Sequence, residues 1–425
     1  MDLKTLRKKH PSFIYQNFSY RVKKDNLEIV FDFLLEPDIR FFPKITIKRI
    51  DKKRLEKIGQ GILENFIFHL GLIEIPSYWK AAAPAKIIIK PGFLNKKQLN
   101  WWKNLIIKGM GQFFYENRID WRKKDFLKIV SQGKKTYPVF VKELKNRYLA
   151  SFSGGKDSIV ALELLKKQKK KVNLFLLNPS RFAKKALKAT GIKNPIIAQR
   201  TIDPLLIKLN KKGYLNGHTP FTGLLSFLAV FSGILFDYKN IAFSNEKSAN
   251  EGNLKYMGKI VNHQWSKSSE FEKSFREYAL EFLAKKINYF SFLRNFGELE
   301  ISKMFLRYPK YFSSFTSCNK AQKTGKRWCG NCPKCLFVYS SFYPFLKEKE
   351  LLKIFGQDIF ENKKLLPVLK KLFKKELSKP FECVGTKKEA KKALLLSLKK
   401  AKKSGKIPYL LKRIEKDLLL SSPSA

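Results

Sequence analysis

The chain has 425 residues, 44% hydrophobic and 14% aromatic, which excludes a disordered or fibrous protein and allows two or three domains. Lys and Arg number 87 against 35 Asp and Glu, a formal net charge of +52. The lysines run through every segment and outnumber the arginines, so the charge reads as solvated surface; it leaves a nucleic-acid partner open without favouring one.

The start, Met1 to Lys9, has no apolar core of the kind a signal peptide needs. Alternating apolar positions in Leu27–Phe33 and Lys44–Lys48 predict antiparallel strands, followed by helices over about 53–70 and 99–115. Residues 1–145 therefore read as an α+β amino-terminal domain. From Arg147 the texture changes. Tyr148–Phe152, Val172–Asn178, Asn194–Gln199 and Asn240–Ser244 read as strands, alternating with helices over 158–169, 181–190 and 219–238. That alternation predicts an α/β unit over 146–315 with a parallel sheet, whose ligands sit at the carboxyl ends of strands. The longest uncharged apolar run, Phe221 to Phe236, is too short to span a membrane comfortably. Its small residues Gly223, Ser226, Ala229 and Gly233 suit a helix packed closely on a sheet, with Thr219 as N-cap and Pro220 as first helical residue. From about Glu270 the chain reads as helical, and 316–425 is expected to hold a cysteine knuckle and lysine-rich helices, with residues 421–425 frayed. No internal repeat is visible.

Ser153-Gly154-Gly155-Lys156-Asp157-Ser158 lies between a predicted strand and helix. Phosphate binding needs backbone N–H groups that converge on oxygen, a helix amino terminus and often a lysine, and this loop supplies all three. Gly154 and Gly155 allow a tight turn, Lys156 adds a charge, Ser153 and Ser158 add hydroxyls, and Asp157 suits Mg2+. It is not a Walker A loop, because Ala150 stands where the first glycine would be and Asp157 follows the lysine. The six residues resemble instead the PP-loop ATP pyrophosphatases, which cleave ATP between its α and β phosphates.

Cys318, Cys329, Cys332 and Cys335 have spacing that suits a closed, structural Zn2+ site. An iron–sulfur cluster is the second reading and a reduced, unliganded group the third. Clustered cysteines without a disulfide framework, with no signal peptide or span, point to a cytoplasmic protein.

Three polar segments look like ligand loops. The first contains Asn216 and His218, the second Asn245, Glu246, Ser248, Glu251 and Asn253, and the third His263, Gln264 and Ser266. Cys383 stands apart, either as a small buried hydrophobe or as a thiol acid/base.

Together, Ser153–Ser158, Asn216–Pro220, Ser244–Asn253, Val261–Ser268, Phe315–Asn319, Trp328–Cys335 and Lys379–Gly385 resemble the ATP-dependent UDP-N-acetylmuramoyl-L-alanyl-L-glutamate epimerases. Tyr78–Pro84 and Gly109–Phe113 extend the likeness toward the amino terminus. The resemblance implies inversion of the terminal L-glutamate of a UDP-N-acetylmuramoyl dipeptide to D-glutamate in peptidoglycan precursor synthesis. ATP would be consumed with Mg2+, releasing AMP and diphosphate. On that reading Asn216, His218, Asn245, Ser248, Asn253, Gln264 and Ser266 are candidates for substrate binding. His263, Glu246, Glu251 and Cys383 are candidates for the acid/base pair. The alternatives are a PP-loop enzyme of tRNA or of 7-cyano-7-deazaguanine synthesis, and a non-enzymatic RNA-binding protein with a degenerate PP-loop fold.

Overall fold

The computed structural model describes residues 1–323 and 325–420, so the expected fraying of 421–425 lies outside it. The strands in chain order are β1 Ser12–Lys23, β2 Asn26–Leu35, β3 Ile39–Phe41, β4 Lys44–Ile47, β5 Lys86–Ile89, β6 Lys128–Ser131 and β7 Tyr148–Ser151. They continue as β8 Val172–Leu177, β9 Ile196–Thr201, β10 Asn240–Phe243, the short pair β11 Leu254–Tyr256 and β12 Lys259–Val261, and β13 Asn288–Ser291.

The apolar alternation in β1, β2 and β4 forms an antiparallel unit, with Tyr20 opposite Ile29 and Ile29 opposite Ile45. The uncharged runs in β7, β8 and β10 are largely buried and pair in parallel with one another and with β9, as strands covered by helices on either side should. One register joins the two patterns: Thr46 of β4 lies opposite Gln199 of β9, antiparallel. A single 11-stranded sheet results, in the order β13-β10-β7-β8-β9-β4-β2-β1-β5-β6, with β3 on β2. It is mixed and mostly parallel, and it crosses the boundary expected near residue 145. A helical carboxy-terminal region follows, including Pro333–Phe342, Leu366–Phe373, Lys387–Lys403 and Tyr409–Leu420.

Two cores flank the sheet. One packs the helices Gln60–Trp79, Phe221–Phe236 and Ser269–Phe282 with the amino-terminal strands. The other packs Lys156–Lys167 against the carboxy-terminal helices. Phe221–Phe236 is buried almost all round, and a Cβ on Gly233 would come 2.7 Å from Ile241 Cδ1, so the small residues serve close packing. Among the described residues no helix is long and apolar enough to cross a membrane.

Two local expectations are corrected. Helix Phe221–Phe236 has no side-chain cap; Pro220 precedes it in a non-helical conformation, and Thr219 offers only its carbonyl to Phe221 N–H. The stretch after Glu270 is not purely helical either, because Asn288–Ser291 extends the sheet beside β10, with Tyr289 fully buried.

Candidate active site

β7 lies between β10 and β8, so the chain leaves its carboxyl end where the connections diverge to opposite sides of the sheet. Such switch points open a crevice. A cavity of about 470 Å³ lies there, lined by the loops after β7 and β10, by His263 to Lys267, by Thr316, Ser317 and Asn319, and by Phe381 to Cys383. A larger groove of about 1200 Å³ runs along the edge strand β6 among lysines and apolar residues. The smaller cavity is the chemical one, because the nucleophilic, imidazole and carboxyl groups converge only on it.

At one end is the glycine loop. Gly154 has φ +76°, and a Cβ there would meet Ala183 Cα at 2.7 Å, so the loop needs glycine to lie against helix Arg181–Thr190. Gly155 precedes helix Lys156–Lys167, which has no side-chain cap, so its first amides lack a side-chain partner beside the cavity. The Ser158 hydroxyl donates to Gly155 O at 2.9 Å, and Ser153 Oγ lies 3.5 Å from Ser158 Oγ. Ser153, Gly155, Asp157 and Ser158 line the cavity, whereas Lys156 is fully buried beneath it. Its ammonium holds Asp157 and, at 2.5 Å, Glu298.

One ammonium therefore serves two carboxyls, Glu298 buried and Asp157 partly exposed to the cavity. Burial works against the Lys156 charge, but Asp157 and Glu298 together raise it above an ordinary lysine. Asp157, despite desolvation, is held below the usual carboxylate range by Lys156. For Glu298 burial dominates and Lys156 only partly offsets it, leaving the carboxyl raised to about 7.

At the other end are a thiol and two imidazoles. Lys267 Nζ lies 3.1 Å from Cys383 Sγ, and His263 Nε2 lies 4.0 Å from the same sulfur. The rings of His218 and His263 are 5.4 Å apart. Burial, with His218 and Lys267, pushes His263 down to about 2; burial, with Lys80 and Lys267, pushes His218 down to about 4. Both imidazoles are neutral. Burial opposes the Lys267 charge too, yet Cys383 and Glu246 overcome it and raise that group. Gln264 is 2% exposed, and neither its amide oxygen nor its nitrogen has a partner; His218 Nε2 is also buried and unpartnered.

Of the residues expected in the site, Asn245, Glu246, His218, His263, Gln264, Ser266 and Cys383 line the cavity. Four do not, and their hydrogen bonds explain why. Glu251 accepts from Lys379 Nζ at 3.5 Å and from Lys387 N at 3.3 Å. Asn253 accepts from His263 N–H and donates to Pro380 O, which pins the Cys383 segment beside the histidine. Ser248 donates to Glu246, and Asn216 Oδ1 accepts from Gly217 N–H. These four lie outside the cavity lining. Lys267, Glu298 and Lys334 were missed, since in sequence each looks like a solvated charge on a lysine-rich chain.

Cys318, Cys329, Cys332 and Cys335 bring their sulfurs within 4.8 Å of one another, close enough to bind a metal ion. The knuckle also shapes the cavity. Thr316 N–H donates to Gly154 O at 3.3 Å, and Lys334 Nζ donates to Cys383 O.

Comparison with known proteins accounts for nearly the whole chain. The family model of the MurL N-terminal domain matches residues 4–292, and that of the MurL C-terminal domain matches 314–418. A UDP-N-acetyl-alpha-D-muramoyl-L-alanyl-L-glutamate epimerase of Salinispora tropica is 34% identical over 398 residues, covering 91% of this chain and 84% of the relative. The protein of the same name from a Micromonospora species is 33% identical, covering 89% and 85%. That from Xanthomonas oryzae pv. oryzae is 31% identical, covering 78% and 74%. The chain belongs to the MurL family of epimerases.

Proposed function

We propose that this chain inverts the terminal L-glutamate of UDP-N-acetylmuramoyl-L-alanyl-L-glutamate to D-glutamate, after ATP has adenylated the glutamate carboxylate at the Ser153–Ser158 loop. The observation that carries this reading is one cavity with the anion-ready glycine loop at one end and Cys383, Lys267 and His263 at the other. The family supplies the substrate; the loop supplies the reason for ATP. We read the loop as a PP-loop because it joins a parallel strand to an uncapped helix amino terminus and carries Lys156 and Asp157 without a Walker A pattern.

A Cα proton beside a free carboxylate is barely acidic, because its removal places two negative charges side by side. Adenylation converts the carboxylate to a mixed anhydride and removes that obstacle. One group then takes the proton, a second returns one to the opposite face, and water releases AMP. Glu246, His263 and Cys383 line the cavity, but Glu251 does not. Burial lowers the His263 pKa and makes that imidazole a weak base, so Cys383 is the strongest candidate acceptor. Asp157 is placed to hold Mg2+, which would neutralise phosphate charge.

The four cysteines fit Zn2+. A Zn–S bond of about 2.3 Å sets tetrahedral sulfurs about 3.8 Å apart, and the Cys318–Cys332 and Cys329–Cys335 separations are 3.8 and 3.7 Å. Ligands outside a four-iron cluster stand much further apart. The ion would brace Thr316 and Lys334, which touch both ends of the cavity.

In deuterated water with the UDP-muramoyl dipeptide, deuterium should enter the glutamate Cα only when ATP is present, with D-glutamate recovered on chiral analysis. Exchange at the same rate without ATP would sink adenylation.

A further inference from the structure

We propose that Lys267 is a positioning residue for the epimerisation: its ammonium, 3.1 Å from Cys383 Sγ, keeps that sulfur a thiolate ready to accept the Cα proton. This rests on the reading of Cys383 as an acid/base group. Lys267 and Cys383 are 116 residues apart in sequence and meet only at the cavity. The contact is not packing of a stray thiol, because the same wall carries a ligand-directed group. Gln264, three residues before Lys267, is 2% exposed, lines the cavity, and leaves both amide atoms unpartnered. A buried amide without protein partners costs free energy that a bound ligand can return.

Two ammonium groups reach the Cys383 segment. Lys267 touches the sulfur directly, and Lys334 donates to the carbonyl of Cys383 from helix Pro333–Phe342. His263, at 4.0 Å, is held neutral by burial and adds no charge of its own. The carboxyls of Glu246, Asp157 and the adjacent Glu382 also line the cavity, but none is hydrogen-bonded to the sulfur. A thiolate beside an ammonium is the usual arrangement of a reactive cysteine.

The step balances without an added reagent. The Cα–H bond of the adenylated L-residue breaks, an S–H bond forms on Cys383, and the electron pair moves into the anhydride carbonyl. A group on the opposite face, recharged from water, then gives its proton to Cα as the electron pair returns from the carbonyl, Cys383 passes its proton to water, and Lys267 remains an ammonium throughout.

The test uses the metal-loaded full chain, with iodoacetamide as thiol probe and peptide mass spectrometry to read Cys383. Lys267→Met should lower Cys383 labelling at neutral pH about tenfold, equivalent to one unit in thiol pKa, and move the labelling profile to higher pH. Lys267→Arg should restore it. The loss in Cα deuterium exchange in Lys267→Met should exceed any loss in AMP formation. Unchanged labelling in Lys267→Met overturns the proposal, as does a loss confined to AMP formation. Unchanged epimerisation in Cys383→Ala instead overturns the reading of Cys383, whatever the labelling of the lysine variants shows.

Discussion

The two ends of the cavity solve opposite electrostatic problems. At the glycine loop the charges are paired before any ligand arrives: Asp157 and Glu298 share the Lys156 ammonium beneath backbone that is already shaped. At the thiol end the polar groups are incomplete: Lys267 faces one sulfur, Gln264 has no partner, and two histidines are held neutral. The first end resembles a rigid anion seat. The second resembles a site whose hydrogen bonds are finished by substrate. Rigid seats should fail through backbone changes, and incomplete ones through loss of single side-chain atoms.

The largest effect that would break this contrast is expected from Gly154→Ala. The new Cβ combines a left-handed backbone with a 2.7 Å approach to Ala183 Cα. The loop must shift, and a displacement of about 1 Å in a positioned group costs on the order of 100-fold. AMP formation should fall by that amount, measured with saturating dipeptide; a normal rate would mean that the loop is not a preformed seat. Gln264→Met should act in the opposite way. The amide makes no hydrogen bond within the protein, so the melting temperature should hold or rise slightly, while KM for the dipeptide rises about tenfold through lost ligand contacts. A fall in melting temperature with unchanged KM would reassign Gln264 to the scaffold.

The smallest expected effect concerns pH. Glu298 has its folded-state pKa raised, by burial first, from 4.5 to about 7. A raised carboxyl contributes stability that is present below its unfolded pKa and lost as pH rises through the folded one. Between about pH 4.5 and 7 the native protein should therefore lose stability relative to Glu298→Gln, in which the slope flattens. Urea midpoints across that window measure it, and parallel slopes would show that Lys156 keeps Glu298 ionised throughout.

Legibility followed the range of the signal. The glycine loop, the flanking strand and helix, and the cysteine spacing are local patterns, and each stands where the sequence placed it. Strand β13 was hidden because four residues among helical patterns acquire their meaning only from pairing with β10. That Glu251 pairs with Lys379 and that Asn253 bonds Pro380 was not legible, because polar loops look alike until their hydrogen bonds are known.

By itself the sequence determined the family, the alternation of strand and helix, the glycine loop and the four clustered cysteines, patterns carried by residues near one another in the chain. Tertiary structure alone decided that Glu298 shares Lys156, that Lys267 finds Cys383, and that Gln264 is left unsatisfied. Those pairings join residues up to 142 positions apart. Their charges acquire meaning only when burial removes the water that would have screened them.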